Sequence, residues 1–221
     1  MFSFTRQLAM RWGHKMRYAR YRRFVELCSL RPEDTIIDVG AGGGAALAVF
    51  NHTNSITAVD IAEWSDVPDR ANVRFVKGDG CALPFPDKSF SVAFSNSVIE
   101  HIPPKQHDDY ANEISRVAER YFVQTPNRWF PIEPHYQLPL FQFVPQSIRR
   151  VINARVTLGW EQKGNSAEIT LLSARDLRRL FPDADIHKER LFGLTKSLMA
   201  VRPTRVESPD DDTDGTRART P

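Results

Sequence analysis

Three acids in this chain stand at the ends of short apolar runs, each followed by small or turn-forming residues: Asp38 in TIIDVGAGGG, Asp60 in ITAVD and Asp79 in VRFVKGDG. A glutamate–histidine pair, Glu100-His101, closes a fourth run, FSVAFSNSVIEH. The glycines behind Asp38 need an explanation, because glycine inside a regular element costs about 0.5–1 kcal/mol relative to alanine. Gly40, Gly42 and Gly44 spell G-x-G-x-G between a strand and a helix, which lets backbone approach a ligand closely with helix N–H groups facing it. Gly40 to Ala45 also satisfies the dinucleotide pattern G-x-G-x-x-G/A, and glycine turns occur in sheets that bind nothing. Asp60, at the end of the next strand, suits both hydroxyls of a ribose, or alternatively caps the segment beyond it. Asp79 suits an exocyclic amine. His101 is the candidate general base, since an imidazole with an ordinary pKa of about 6.5 removes protons at neutral pH; the plain alternative is a histidine that caps or packs a helix start.

The elements that must hold these residues alternate. Apolar runs at 35–39, 56–60, 73–79, 90–96 and 121–127 are separated by helical or turn-rich stretches, with helices expected at about Gly44–Phe50 and Lys105–Glu119. Such alternation reads as βαβ units and a parallel sheet covered by helices. Ser173 is an N-cap for the helix ARDLRRLF, and the runs 184–193 and 195–203, joined at a glycine, form a hairpin. Between the run 121–127 and Ser173, about 127–170 mixes aromatics, prolines and arginines without a strand period and is read as an insertion or lid.

Ordered in this way, the motifs resemble those of class I S-adenosylmethionine-dependent methyltransferases, the broad type 11 group: D-x-G-x-G-x-G, then V-D, then GDGCALPFPDKSFSVAF, then E-H, over about Thr35 to Ile102. The resemblance implies a Rossmann-like three-layer α/β sandwich with a seven-stranded, mostly parallel sheet of order 3-2-1-4-5-7-6 and an antiparallel last strand. It also implies S-adenosyl-L-methionine as cofactor. Asp38 would orient its amino-acid end, Gly40, Ala41 and Gly42 would leave room for it, Asp60 would hold the ribose, and Ile61 would lie on the adenine. Asp79 would take the adenine amine, Gly80 or Cys81 would present a backbone N–H to a ring nitrogen, and Ser95 would border the reacting methyl group. Two departures stand out. Ser91 replaces the pattern's aspartate, with loss of a structural contact expected, and the segment after Asp60 is short, so the cover over the adenine differs.

In the insertion, Trp129, Glu133, His135 and Tyr136 are candidates for an acceptor pocket, packing being the alternative for the aromatics. The acceptor is read as a small-molecule, lipid-linked or glycan-like compound. Two rival readings remain open at this point: a nicotinamide-dependent oxidoreductase, and a non-catalytic scaffold that binds the cofactor. No metal is expected, because zinc- or calcium-type ligand spacing is missing from the sequence.

With 221 residues, 41% hydrophobic and 26% charged, the composition is that of one globular domain. The domain is expected over 31–203, behind a basic helical segment at 1–30 and ahead of a disordered, charged tail at 204–221. Net charge is +3 and pI near 9.0. Residues 1–25 carry Arg6, Arg11, Lys15, Arg17, Arg20, Arg22 and Arg23 and no acid. That segment is read as closing the cofactor cleft, with peripheral contact to an anionic membrane as the second reading. No nucleic-acid partner is expected. Two distant cysteines, Cys28 and Cys81, suggest no disulfide framework, and the absence of a long apolar run fits a cytoplasmic protein.

Overall fold

A computed structural model describes residues 18–42, 54–62, 71–133, 138–155 and 169–203. The strands are β1 (Ile36–Val39), β2 (Ile56–Asp60), β3 (Val73–Lys77), β4 (Phe90–Asn96), β5 (Ala118–Pro126), β6 (Ile132–Glu133), β7 (Leu138–Pro139), β8 (Asp185–Leu191) and β9 (Leu194–Arg202). Helical segments are α1 (residues 18–27), α2 (His107–Val117), α3 (Gln146–Arg155) and α4 (Ala174–Leu180). The main sheet has seven strands in the order β3-β2-β1-β4-β5-β9-β8, and β6 pairs with β7 in a separate ladder. Leaving that ladder out, the order is the expected 3-2-1-4-5-7-6. Strands β1 to β5 are mutually parallel, while β9 runs antiparallel to both β5 and β8.

Each central strand is apolar on both faces, as a parallel sheet covered on both sides requires. Val39, Ala93, Tyr121, Val123, Leu198 and Ala200 face one layer, with α2 and α4. Ile36, Val92, Phe94, Phe122, Met199 and Val201 face the other, with Phe24 and Cys28 at α1. Helix α2 turns His107, Tyr110, Ala111, Ile114 and Val117 inward, a spacing of three and four residues that makes one helical stripe. Helix α4 starts at a capping box: Ser173 Oγ accepts from the Asp176 N–H, and the Ser173 N–H donates to Asp176 Oδ2 at 2.8 Å.

The sequence expectation needs correction at three places. The insertion contains regular structure, the β6–β7 ladder and α3, packed around Phe141, Ile169 and Leu171. Ser91 does not lose its contact. Its Oγ accepts from the Thr35 N–H at 3.1 Å, and its own N–H donates to Thr35 Oγ1 at 3.0 Å, stitching the starts of β1 and β4. The helix expected at 44–50, the segment after Asp60, most of the basic N-terminal segment and the tail lie outside the described residues.

At the amino end of β1 a buried ion pair ties α1 to the sheet. Arg120 of β5 donates to Asp34 Oδ1 at 2.5 Å and to the Cys28 carbonyl at 2.5 Å, and Asp34 Oδ2 accepts from the Arg31 N–H at 2.7 Å. Burial pushes the Asp34 carboxyl up, but the Arg120 hydrogen bond and the Arg31 N–H outweigh it and hold it below the usual range. Replacing Arg120 with methionine leaves that carboxylate buried without its cation. Arg120→Met is expected to cost about 3–5 kcal/mol in urea denaturation, and a loss under about 1 kcal/mol would show the pair to be dispensable.

Candidate functional site

The first strand leaves the sheet through a bend with no side chain on its inner surface. Gly40 has φ +76° and Gly42 φ +53°, backbone that L side chains adopt only at a cost. A Cβ on Gly40 would also overlap Val98, 2.8 Å from its Cγ1 and closer still to Cγ2. The bend is held to β2: the N–H groups of Gly40 and Ala41 donate to the Val59 carbonyl at 2.8 and 3.1 Å, and the Gly42 N–H donates to Asp60 Oδ2 at 3.0 Å. The other Asp60 oxygen accepts from the Ala62 N–H at 3.0 Å. Among the described residues each oxygen thus accepts one backbone N–H, and a carboxylate oxygen has a second acceptor site to offer a ligand hydroxyl.

Beside this bend lies a cleft of about 440 Å³, within the range of small-ligand sites. Gly40, Gly42, Asp60, Ile61, Asp79, Gly80, Cys81 and His101 all line it, so most of the expected cofactor and catalytic residues come together. Ile61 stands 71% exposed at the rim. Gly80 packs on Tyr110, where a Cβ would come within 2.9 Å of Cε2. Helix α2 clamps the loop that carries Asp79 to Cys81: Glu113 accepts from the Leu83 N–H at 2.6 Å, and Arg116 donates to the Phe85 and Leu83 carbonyls at 2.7 and 3.1 Å. The Cys81 N–H is turned onto Asp79 Oδ1 at 2.9 Å, which leaves Gly80 as the backbone donor there. Burial, with the Asp79 charge second, pushes the Cys81 thiol up to about 12, so it stays protonated.

Three of the expected cofactor residues lie off the lining. Ala41 is buried in the apolar layer below the bend, and Ser95 is buried with its hydroxyl 2.6 Å from Tyr110 Oη. Asp38, 1% exposed, lies under the bend, and its Oδ2 has no hydrogen-bond partner. Burial, and secondarily the Asp60 charge, raise its pKa to about 7. A buried carboxylate oxygen without a partner, next to a cleft, favours a cation beside it.

Sequence reading missed Ser97, Val98, Ile102, Pro103, Gln106 and Tyr110, which also line the cleft, together with Val39, Val59 and Gly78 of the strand ends. Ser97 is the most informative. It holds φ +58°, with its N–H on the Gln124 carbonyl at 2.9 Å and its Oγ on Gln124 Oε1 at 3.1 Å. Strained non-glycine backbone gathers at ligand sites, but no residue type announces it in a sequence. His101 is exposed at the end of a short helical turn from Ile99. Its neighbour Glu100 is buried, accepts from Thr125 Oγ1 at 2.9 Å, and takes the Thr170 N–H on its carbonyl at 2.8 Å, tying the pair to β5 and to the end of the insertion. Trp129 is 66% exposed and Glu133 fully buried, both in the insertion and outside the cleft lining. His135 and Tyr136 lie outside the described residues.

Residues 37–120, which hold the bend, Asp60, Asp79, His101 and α2, match the family model described as a methyltransferase domain. Solved structures similar in fold include a SAM-dependent methyltransferase from Archaeoglobus fulgidus, with TM-score 0.57 and 14% identity over 91% of this chain and 99% of that one. The YcgJ protein from Bacillus subtilis has TM-score 0.55 and 20% identity over 76% of this chain and 68% of that one. Among curated relatives, an uncharacterized protein of Mycobacterium tuberculosis is 35% identical over 71 residues, 32% of this chain and 24% of that one. The 27-O-demethylrifamycin SV methyltransferase of Amycolatopsis mediterranei is 27% identical over 96 residues, 38% of this chain and 35% of that one. The chain therefore spans only about a quarter to a third of the length of these curated relatives.

Asp38 is expected to make the stability of the ligand-free fold depend on pH. Because the folded-state pKa is raised from 3.8 to about 7, the folded state holds the Asp38 proton between those values and the unfolded chain does not. Stability is then lost as pH rises from about 4 to about 7, by an amount of the order of a few kcal/mol. Thermal unfolding of the ligand-free protein is expected to show this slope, and Asp38→Asn to flatten it; parallel slopes would show Asp38 to be compensated.

Proposed function

We propose that the protein transfers a methyl group from S-adenosylmethionine to a small-molecule or amphiphilic acceptor, lipid-linked or glycan-like. One observation carries the reading: Asp60 and Asp79 line a nucleoside-sized cleft, with Asp38 buried off the lining next to Val39, and that lining holds no lysine or arginine among the described residues. A site of that charge suits a ligand that is cationic at its amino-acid end and neutral at its nucleoside, and it suits a pyrophosphate poorly. The unpartnered Oδ2 of Asp38 fits an ammonium group. The free acceptor sites of Asp60 fit ribose hydroxyls, and Asp79 with the Gly80 N–H fits the adenine edge. Bound there, S-adenosylmethionine supplies a methyl group on a positively charged sulfur that leaves as a neutral thioether.

What remains for the chain is largely placement. Holding two reactants in line is worth on the order of 7–11 kcal/mol, so the rigidity of the bend and of the Ser97 backbone matters more than a reactive side chain. His101 would take the proton of a hydroxyl acceptor, a step that a carboxylate acceptor does not need. The Amycolatopsis relative is named for 27-O-demethylrifamycin SV, which supports a small-molecule acceptor.

Calorimetry with S-adenosylhomocysteine is expected to show binding that Asp60→Ala weakens about tenfold or more, the loss of charge-assisted hydrogen bonds worth about 1.5–3 kcal/mol each. No binding by the unaltered chain would overturn the cofactor assignment. Labelled S-adenosylmethionine incubated with total cell extract then reports which fraction acquires the label. Against that acceptor, His101→Ala is expected to lower turnover about a hundredfold while sparing S-adenosylhomocysteine affinity, and unchanged turnover would remove His101 from the mechanism.

A further inference from the structure

The parallel strands β1 to β5 deliver their carboxyl ends to one edge of the sheet, where the cleft lies. Two further structures reach that edge. The insertion leaves from the end of β5 and returns beside it, its two ends joined by the parallel bridge Asn127–Leu172. Strand β8, two antiparallel steps from β5, runs in the same direction as β5, so the tip of the β8–β9 hairpin also projects there.

Exposed apolar residues concentrate in these two structures. Of the ten large apolar side chains that stand exposed among the described residues, six belong to the insertion: Trp129, Ile132, Leu140, Phe143, Ile148 and Val151. Two more, Phe192 and Leu194, form the hairpin tip. Phe192 is 94% exposed, and it occupies the first position of a two-residue loop with φ +50°, followed by Gly193 at φ +79°. Asparagine or glycine is the ordinary occupant of such a position; a bulky aromatic there costs backbone strain and gains no packing within the chain.

Among the described residues, the exposed charges beside these groups are basic. Residues 128–155 contain four arginines and a single acid, Glu133, which is buried. Arg128 lies over the Trp129 ring, 5.9 Å from its centroid, and Trp129 leans on Phe143 at 5.8 Å. Beside the hairpin tip Lys188 and Arg190 are exposed, while the one intervening acid, Glu189, is buried against Arg20 and Ser197. Strand pairing with a second copy suits this edge poorly, because β8 carries those cations and a register shift at Glu189/Arg190.

We propose that the insertion and the β8–β9 tip dock the protein on an anionic lipid bilayer, with Phe192 and the Trp129–Phe143 pair entering the interface and the flanking arginines and lysine meeting lipid phosphates. Aromatic and apolar groups ringed by cations are the chemistry of such a surface. This deepens the amphiphilic-acceptor reading and rests on it for its use: an acceptor held in the bilayer would meet the cleft at the docked edge.

The test floats the full chain on vesicles of phosphatidylcholine alone and of phosphatidylcholine doped with phosphatidylglycerol. Binding is expected only with the anionic lipid, and to weaken with salt. Phe192→Asn replaces the strained tip with an Asn-Gly turn, so it is expected to raise the melting temperature while lowering the bound fraction about fivefold or more; Trp129→Ser with Phe143→Ser should lower it likewise. Failure to float, equal flotation on neutral vesicles, or flotation unchanged in all variants would overturn the proposal. So would self-association that Phe192→Asn abolishes without any change in flotation, which would assign the surface to a second copy. S-adenosylhomocysteine calorimetry on the same samples separates this outcome from failure of the cofactor reading, since none of these residues lines the cleft.

Discussion

The site rests on the contact between a bend without side chains and a valine. Gly40 must bring its backbone against Val98, and the same turn must hang on the Val59 carbonyl and the Asp60 carboxylate. These few contacts bind the exits of β1, β2 and β4 into one wall. Asp60, Ser97 and His101 come from three different parts of that wall, and they face one hollow because it leaves no room for another arrangement. A side chain at Gly40 would force Val98 away and the turn out of its left-handed conformation, separating the groups that the cleft brings together.

Two buried acids in this protein show opposite uses of burial. Asp34, at the amino end of β1, is matched by Arg120 and a backbone N–H, and its charge locks α1 to the sheet. Asp38, four residues on at the carboxyl end of the same strand, keeps one oxygen without a partner, and burial, with the Asp60 charge second, raises its pKa. The first contributes to holding the fold; the second is expected to cost stability when it ionises without a cation beside it. A strand that is satisfied at one end and unsatisfied at the other separates structural from ligand-facing chemistry over four residues.

Much of this was legible in the amino-acid sequence, for physical reasons. Strands buried on both faces appear as unbroken apolar runs, so β1, β2, β4 and β5 could be placed within a few residues, and Ser173 announced α4 because a capping box is a local device. The glycines and the acids behind each run marked the cleft. What stayed hidden depends on distant partners. Tyr110 reads as one more apolar residue of α2 until Ser95 and Gly80 are found against its ring. Ser97 has an ordinary residue type, and its backbone is imposed by Gln124. Ser95 and Ala41, carried over from the motif, turned out to support the wall rather than line it. Helix α3 was obscured by the prolines and aromatics around it, and Ser91 found in Thr35 a partner that the motif did not foretell.

The insertion begins and ends at neighbouring backbone positions, Asn127 beside Leu172, and packs around a small apolar cluster of its own, Phe141, Ile169 and Leu171. A segment with a closed entrance and a private core can be lengthened, shortened or exchanged without moving the strands beneath it, because loop length is thermodynamically inexpensive once both ends are anchored. Whatever this excursion contacts, evolution can therefore change it as a cassette while the cleft beside the glycine bend stays as it is.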